Sequence, residues 1–333
     1  METDNKTYYE EIDIVKGFAI FLAVLGHSFP DAEKGWYIIG QDSFAHFVME
    51  WIYSFHMPVF FMFAGFLFIP RTGRFDIKTN LLKRFKRLMV PYLFFSLIYI
   101  LGKTIGSSVA NHPLSPNYFV DMLFGKSPAG GCWFLWVLFV MSVVCVLAKK
   151  LGTYWLFVMS ILMYILYYID KSWMIGKIDL VFYDFIWFAL GGVLAKHYVP
   201  TKKILDRAYI GILAFLLLTC LQFCNRFWLT NVLGVLSGII MLYCFSTRIA
   251  EQKKGLFRSV MKGLGKYCMD IYIISMLVVI PLRILYTYFH LYVYIPYYVW
   301  VGVGTFLGCV IPILVSKHFV RKRKWLNLLV LGG

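Results

Sequence analysis

The stretch Ile12-Asp13-Ile14-Val15-Lys16-Gly17-Phe18-Ala19-Ile20-Phe21-Leu22-Ala23-Val24-Leu25-Gly26-His27 decides how this chain reads. With its flanks it is a hydrophobic run of about 18 residues, enough helix for roughly 27 Å of bilayer. An acid and a base stand at one end and a histidine at the other. Lys16 and His27 are eleven positions apart, and eleven steps of about 100° return to within roughly 20° of the start. The two therefore share a face, about 16 Å apart along the axis. Asp13 falls within about 40° of that face. Polar groups on a membrane helix are costly unless they face protein or water, so this stripe marks a candidate functional face.

Outward from this run the same pattern repeats. Apolar runs of spanning length occur at roughly 12–29, 46–69, 88–106, 132–148, 153–169, 180–196, 208–224, 230–247, 267–289 and 297–316. The chain is 60% hydrophobic and 19% aromatic, with a mean hydropathy of +0.72, more apolar surface than a soluble domain of 333 residues needs. The formal net charge of +16 raises the question of nucleic acid. However, the cations cluster in alternate links between apolar runs: Arg71 to Arg87, Lys149 and Lys150, Lys196 to Arg207, Arg248 to Lys266, and Lys317 to Lys324. That alternation is the signature of a cytoplasmic membrane face, so no nucleic-acid partner is expected and membrane lipids are. Both termini are then expected in the cytoplasm. The seven cysteines are scattered without a CxxC pair, so neither a disulfide framework nor a metal site is expected. The first apolar run has no basic leader and no small-residue cleavage site, so a cleaved signal peptide is not expected. The expected fold is all-α: one domain over 1–333, a polytopic membrane bundle of about ten transmembrane helices.

Several side chains within this frame could carry chemistry. His27 lies past the midplane of the first helix, where a neutral imidazole suits general-base work on a hydroxyl; a histidine hydrogen-bonded in a helix interface is the plain alternative. Asp13 and Lys16 form either an i,i+3 ion pair with a snorkelling lysine or a charged group aimed at an anionic ligand. Arg84-Phe85-Lys86-Arg87 runs into the third helix, with Arg84 and Arg87 one turn apart on a common face. Such a pair can grip a phosphate through forked donors, although cationic helix ends are also ordinary topology signals. His56, just before Pro58, is either a second polar wall or a donor to a carbonyl freed by the proline. His46 and Glu50 are four apart and could pair at the outer mouth. Asp31, Glu33, Asp42, Asp170, Asp179 and Asp184 lie on or near the outer side, where a solvated loop acid is the commoner explanation. Cys132 has no visible base to make it a nucleophile. Asp270 and Arg283 share the ninth run and are expected to pair within the bundle.

Taken together, these stretches resemble the acyltransferase-3 family of ten-helix membrane acyltransferases, and within it the fucose 4-O-acetylase-like members. Lys16 and His27 match its basic-x10-His motif, and Arg84 and Arg87 its Arg-x-x-Arg motif at the third helix. Ser54-Phe55-His56-Met57-Pro58 … Ala64-Gly65 looks like its second helix, and Trp133-Phe134-Leu135 … Leu138-Phe139 like its fourth. One departure stands out: Ser275 occupies a ninth-helix position that is often histidine in the family.

The resemblance implies an O-acyltransferase in a bacterial cytoplasmic (inner) membrane. Its donor would be acetyl-CoA or another acyl-CoA from the cytoplasm, and its acceptor a hydroxyl on a glycan or lipid-linked sugar, with no metal. Lys16, Arg84 and Arg87 would hold the donor, and Asp13, Glu50, His56 and Trp133 would line the substrate path. His27 would act as general base or carry the acyl group itself. A polytopic transporter or glycan exporter, and a catalytically silent scaffold, are the competing classes. A transporter is expected to show internal repeats with paired interrupted helices, and no such symmetry is visible here.

Overall fold

The computed structural model describes residues 9–29, 43–74, 76–105, 114–205, 207–225, 227–252 and 254–333. Every regular element among them is helical. In chain order these are α1 (Glu10–Ser28), α2 (Ser43–Tyr53), α3 (His56–Phe68), α4 (Ile77–Arg84) and α5 (Val90–Ile105). There follow α6 (Tyr118–Leu123), α7 (Trp133–Leu147), α8 (Thr153–Ile169), α9 (Ile178–Lys196), α10 (Tyr198–Leu205) and α11 (Ala208–Leu221). The chain closes with α12 (Trp228–Glu251), α13 (Leu256–Lys266), α14 (Cys268–Tyr288), α15 (Tyr297–Val315) and α16 (Lys324–Leu331).

All ten expected apolar runs fall on helices, but among the described residues seven stretches are long and apolar enough to cross a membrane. The other three differ for plain reasons. Helices α8 and α11 are apolar but have only 17 and 14 residues. Helix α1 has 19 residues and carries Glu10, Glu11, Asp13 and Lys16 in its first two turns. Those acids sit where the positive end of the helix dipole favours them.

Two close crossings lock the bundle. A Cβ on Gly65 of α3 would stand 1.9 Å from the Phe188 carbonyl oxygen of α9, and one on Gly191 equally near the Met62 carbonyl. At the second crossing, Gly17 of α1 meets the Met261 carbonyl of α13, and Gly265 meets that of Asp13. Glycine is what lets helix backbones approach this closely, as is common where apolar helices must associate without a solvent-driven gain. Around these crossings Ile14, Val15, Phe55, Phe61, Phe63, Phe185 and Phe188 are fully buried. Large apolar side chains such as Leu101, Ile105, Leu213 and Leu216 point outward, as a lipid-facing surface requires.

The second apolar run is broken, not continuous. Helix α2 stops at Tyr53, Ser54 and Phe55 turn, and α3 restarts at His56. Pro58 has no N–H to continue the ladder. The imidazole of His56 compensates locally by donating Nδ1–H to the Ile52 carbonyl at 3.0 Å, and Ser54 Oγ donates to Trp51 O at 2.7 Å. A second irregularity follows α4: Phe85–Met89 forms a π-helical turn before α5.

Candidate functional site

The site is built at the two ends of α1. At its C-terminal end His27 is half-buried, with Tyr53 Oη 3.5 Å from its Nδ1. The Arg283 guanidinium of α14 donates to the His27 carbonyl at 3.0 Å, placing a cation at a helix C-terminus, where the dipole favours it. The rings of His27 and Tyr53 lie 6.1 Å apart, and those of Tyr53 and His56 5.2 Å apart. Three polar rings thus stand in a row beside the break between α2 and α3. His56 is buried, and its bond to Ile52 puts the proton on Nδ1 and the lone pair on Nε2. Trp133 opens α7 with its ring 6.3 Å from Phe61, and Tyr272 of α14 donates its hydroxyl to the Gly131 carbonyl beside it. Glu50 is half-buried on α2, one turn before Tyr53, and His46 is exposed on the same helix.

At the N-terminal end, Lys16 Nζ pairs with Asp13 at 2.5 Å, both side chains partly exposed. Arg84 stacks its guanidinium 3.6 Å above the Phe68 ring, and Arg87 donates to the Leu331 carbonyl at 3.1 Å. The common α-helical face expected for the two arginines is not present. Arg84 ends α4 and Arg87 lies in the π-helical turn, whose smaller rotation per residue swings them further apart around the axis; they take different partners while staying within electrostatic reach of each other.

Asp270 and Arg283 are not partners. Asp270 is buried and takes the fork of Arg321 at 2.9–3.1 Å, with the Ser316 hydroxyl donating to the same carboxylate. Arg87 lies within electrostatic reach of both charges, so the π-helical turn before α5 stands near the pair that joins α14 to the segment after α15. Asp184 is not a loop acid either. It is buried on α9, and one of its carboxylate oxygens has no hydrogen-bond partner among the described residues. Asp170 is the ordinary case: it is exposed and accepts the Ser172 N–H at 2.7 Å. Asp31, Glu33 and Asp42 lie outside the described residues.

Sequence reasoning did not select Tyr53, Tyr272 or Arg321 as site residues. Tyr53 had a signal in its place three residues before His56, and Arg283 in being a charge within an apolar run. Arg321 sat in a basic tail and had none. Among the described residues no group of three His, Cys, Asp or Glu side chains is placed to hold a metal.

What remains is an imidazole at the C-terminal end of α1, set in polar company, with the Lys16–Asp13 pair near the other end of the same helix and Arg84 and Arg87 on the segment leading into α5. The imidazole has the chemistry to accept a proton, and the three cations that to hold an anion. A family model described as an acyltransferase domain matches residues 9–314. No curated protein and no solved structure matches the chain.

Proposed function

The chain belongs to this acyltransferase family, whose domain spans nearly all of it, and from that membership we propose an integral membrane O-acyltransferase. It moves an acyl group, acetyl being the simplest, from cytoplasmic acyl-CoA to a hydroxyl of a cell-surface glycan or lipid-linked sugar. In this reading the bundle crosses a bacterial inner membrane about ten times, with both termini in the cytoplasm. The short helices α8 and α11 and the charged α1 complete the count.

The observation that supports this most is the placement of His27. It ends the helix that carries Lys16 near its start, and Tyr53 stands at its Nδ1. For base catalysis, Nδ1–H donates to Tyr53 Oη and the lone pair sits on Nε2. Nε2 takes the proton of the acceptor hydroxyl as its oxygen attacks the thioester carbonyl carbon. The tetrahedral intermediate then collapses, the C–S bond breaks, and the thiolate leaves with the proton from the imidazolium. Thioester and oxygen ester are close enough in energy that the protein mainly positions the groups and excludes water. Arg84, Arg87 and Lys16 hold the donor phosphates. Asp13 orients Lys16, and Glu50, His56 and Trp133 line the path to the acceptor.

The test uses purified wild type and His27→Ala in nanodiscs with radiolabelled acetyl-CoA and a membrane glycan extract. Wild type should transfer label, and the variant should bind donor with label transfer down about 10²–10⁴-fold. Equal transfer by both proteins would make His27 a structural residue and remove the proposal.

A further inference from the structure

A cavity of about 400 Å³ opens where the start of α13 meets the start of α1, lined by Glu10, Lys254, Leu256, Arg258, Ser259 and Lys262. The acyl-transfer reading makes no use of it. Three cations face one carboxylate: Arg258 Nε donates to Glu10 Oε1 at 2.7 Å, and Lys262 Nζ lies 3.2 Å from Oε2. The lining therefore keeps a net positive charge after its internal pairs are counted. Arg258 and Lys262 are four apart and line one flank of α13, and Lys254 stands two residues before the helix begins.

The remaining faces of α13 decide what kind of anion fits. Its underside, Met261, Leu264 and Gly265, is buried against the bundle. The flank opposite the cations leaves Leu256 83%, Phe257 51% and Val260 44% exposed. A basic flank and an apolar flank on one short helix, beside a bundle of membrane-length helices, are the composition of a helix that meets the bilayer interface. A soluble phosphate would need the cations but not the apolar flank. A phospholipid needs both, and Leu256 both lines the cavity and reaches outward.

We propose that this cavity binds the phosphodiester headgroup of an anionic phospholipid. The phosphate shares Arg258 and Lys262 with Glu10 and takes Lys254 as a further partner, while the acyl chains run along Leu256 and Val260. The site rests on membrane placement of the bundle and not on the acyl-transfer chemistry. Because Glu10 begins the helix that ends in His27, the lipid headgroup and α1 meet on the same pair of cations.

The experiment is native mass spectrometry of the full chain released from detergent, titrated with phosphatidylglycerol or phosphatidylcholine. Wild type should retain phosphatidylglycerol in preference. Each cation near an anionic headgroup is worth about fivefold in binding, so the triple variant Lys254→Gln, Arg258→Gln, Lys262→Gln should weaken it on the order of a hundredfold. The pair Lys149→Gln, Lys150→Gln, which removes two cations that do not line the cavity, should leave it unchanged. Glu10→Gln removes the competing carboxylate and should tighten binding. Equal retention of the two lipids, or a triple variant that binds as wild type does, overturns the proposal. So does displacement of phosphatidylglycerol by acetyl-CoA or inorganic phosphate, which would make the cavity a soluble-phosphate site. If the triple variant does not stay folded by size exclusion, Glu10→Gln decides, and no gain there refutes the site.

Discussion

Replacing Arg321 by glutamine tests how much of the bundle depends on one buried charge. The Asp270 side chain is 1% exposed, and its carboxylate receives three guanidinium contacts at 2.9–3.1 Å besides the Ser316 hydroxyl. Removing the guanidinium leaves a carboxylate in the interior with a single hydroxyl donor and only the more distant charge of Arg87. Breaking a buried ion pair from one side costs about 3–5 kcal/mol. Arg321 keeps 46% of its side chain in solvent, so water screens the pair and about 2–3 kcal/mol is expected here. Adding Asp270→Asn removes the orphaned charge, and the double variant should then lose only about 1 kcal/mol, the worth of a neutral hydrogen bond. The sign of this difference is the test, read as a double-mutant cycle by thermal denaturation in nanodiscs. At about 2 °C per kcal/mol for a chain of this length, Arg321→Gln should melt about 4–6 °C low and the double variant about 2 °C low. Arg321→Lys keeps the charge but not the fork and should fall between. If the double variant melts with the single one or below it, an uncompensated buried charge is not what Arg321 prevents.

Three further outcomes are expected. Gly65→Ala pushes a methyl to 1.9 Å from the Phe188 carbonyl oxygen, so α3 and α9 must part at a cost of about 1–3 kcal/mol. Gly73→Ala meets nothing within 4 Å and should melt as wild type does, so equal melting of the two variants would refute the crossing. Tyr53→Phe removes the hydroxyl that orients His27 and should lower kcat about fivefold, one hydrogen bond's worth, with donor binding intact. An unchanged kcat in steady-state assays would count against the tautomer assignment. The hydrogen bond from Arg258, helped by Lys262, holds the Glu10 carboxyl below its ordinary 4.5. A folded-state value below the unfolded one stabilises above the ordinary carboxylate range and is lost as pH falls through the folded value. The melting temperature of wild type should therefore drop more steeply than that of Glu10→Gln as pH is lowered from about 5 to 3; parallel curves would remove the linkage.

Most of the helices were legible because burial in lipid is a local demand: a run of apolar residues either reaches spanning length or does not. The broken second run was only half legible. Pro58 announced a weakness, but the restart at His56 depended on an imidazole reaching Ile52 O. The amphipathic helix α13 fell between the expected spans, since its apolar positions are too few to read as one. The candidate site divided similarly. His27, Lys16 and Asp13 share one helix, and periodicity alone places them. The expected pairing of Asp270 with Arg283 failed because both lie on α14 and each turns to a different neighbour, Arg321 and the end of α1 respectively.

The sequence by itself determined the helical class, the membrane-length runs, the segregation of cations into alternate links and the polar stripe of α1. Each follows from interactions within one segment or between a segment and its solvent. Tertiary structure alone decided which polar groups meet. Tyr53 reaches His27 because α2 packs against α1, and Arg283 reaches the same turn from α14. The π-helical turn separates Arg84 from Arg87 and sends one to an aromatic face and the other to a carbonyl near the end of α16. Those contacts join residues far apart in the chain. Their geometry is set by how closely the helix backbones cross at Gly17, Gly65, Gly191 and Gly265, which no single segment specifies.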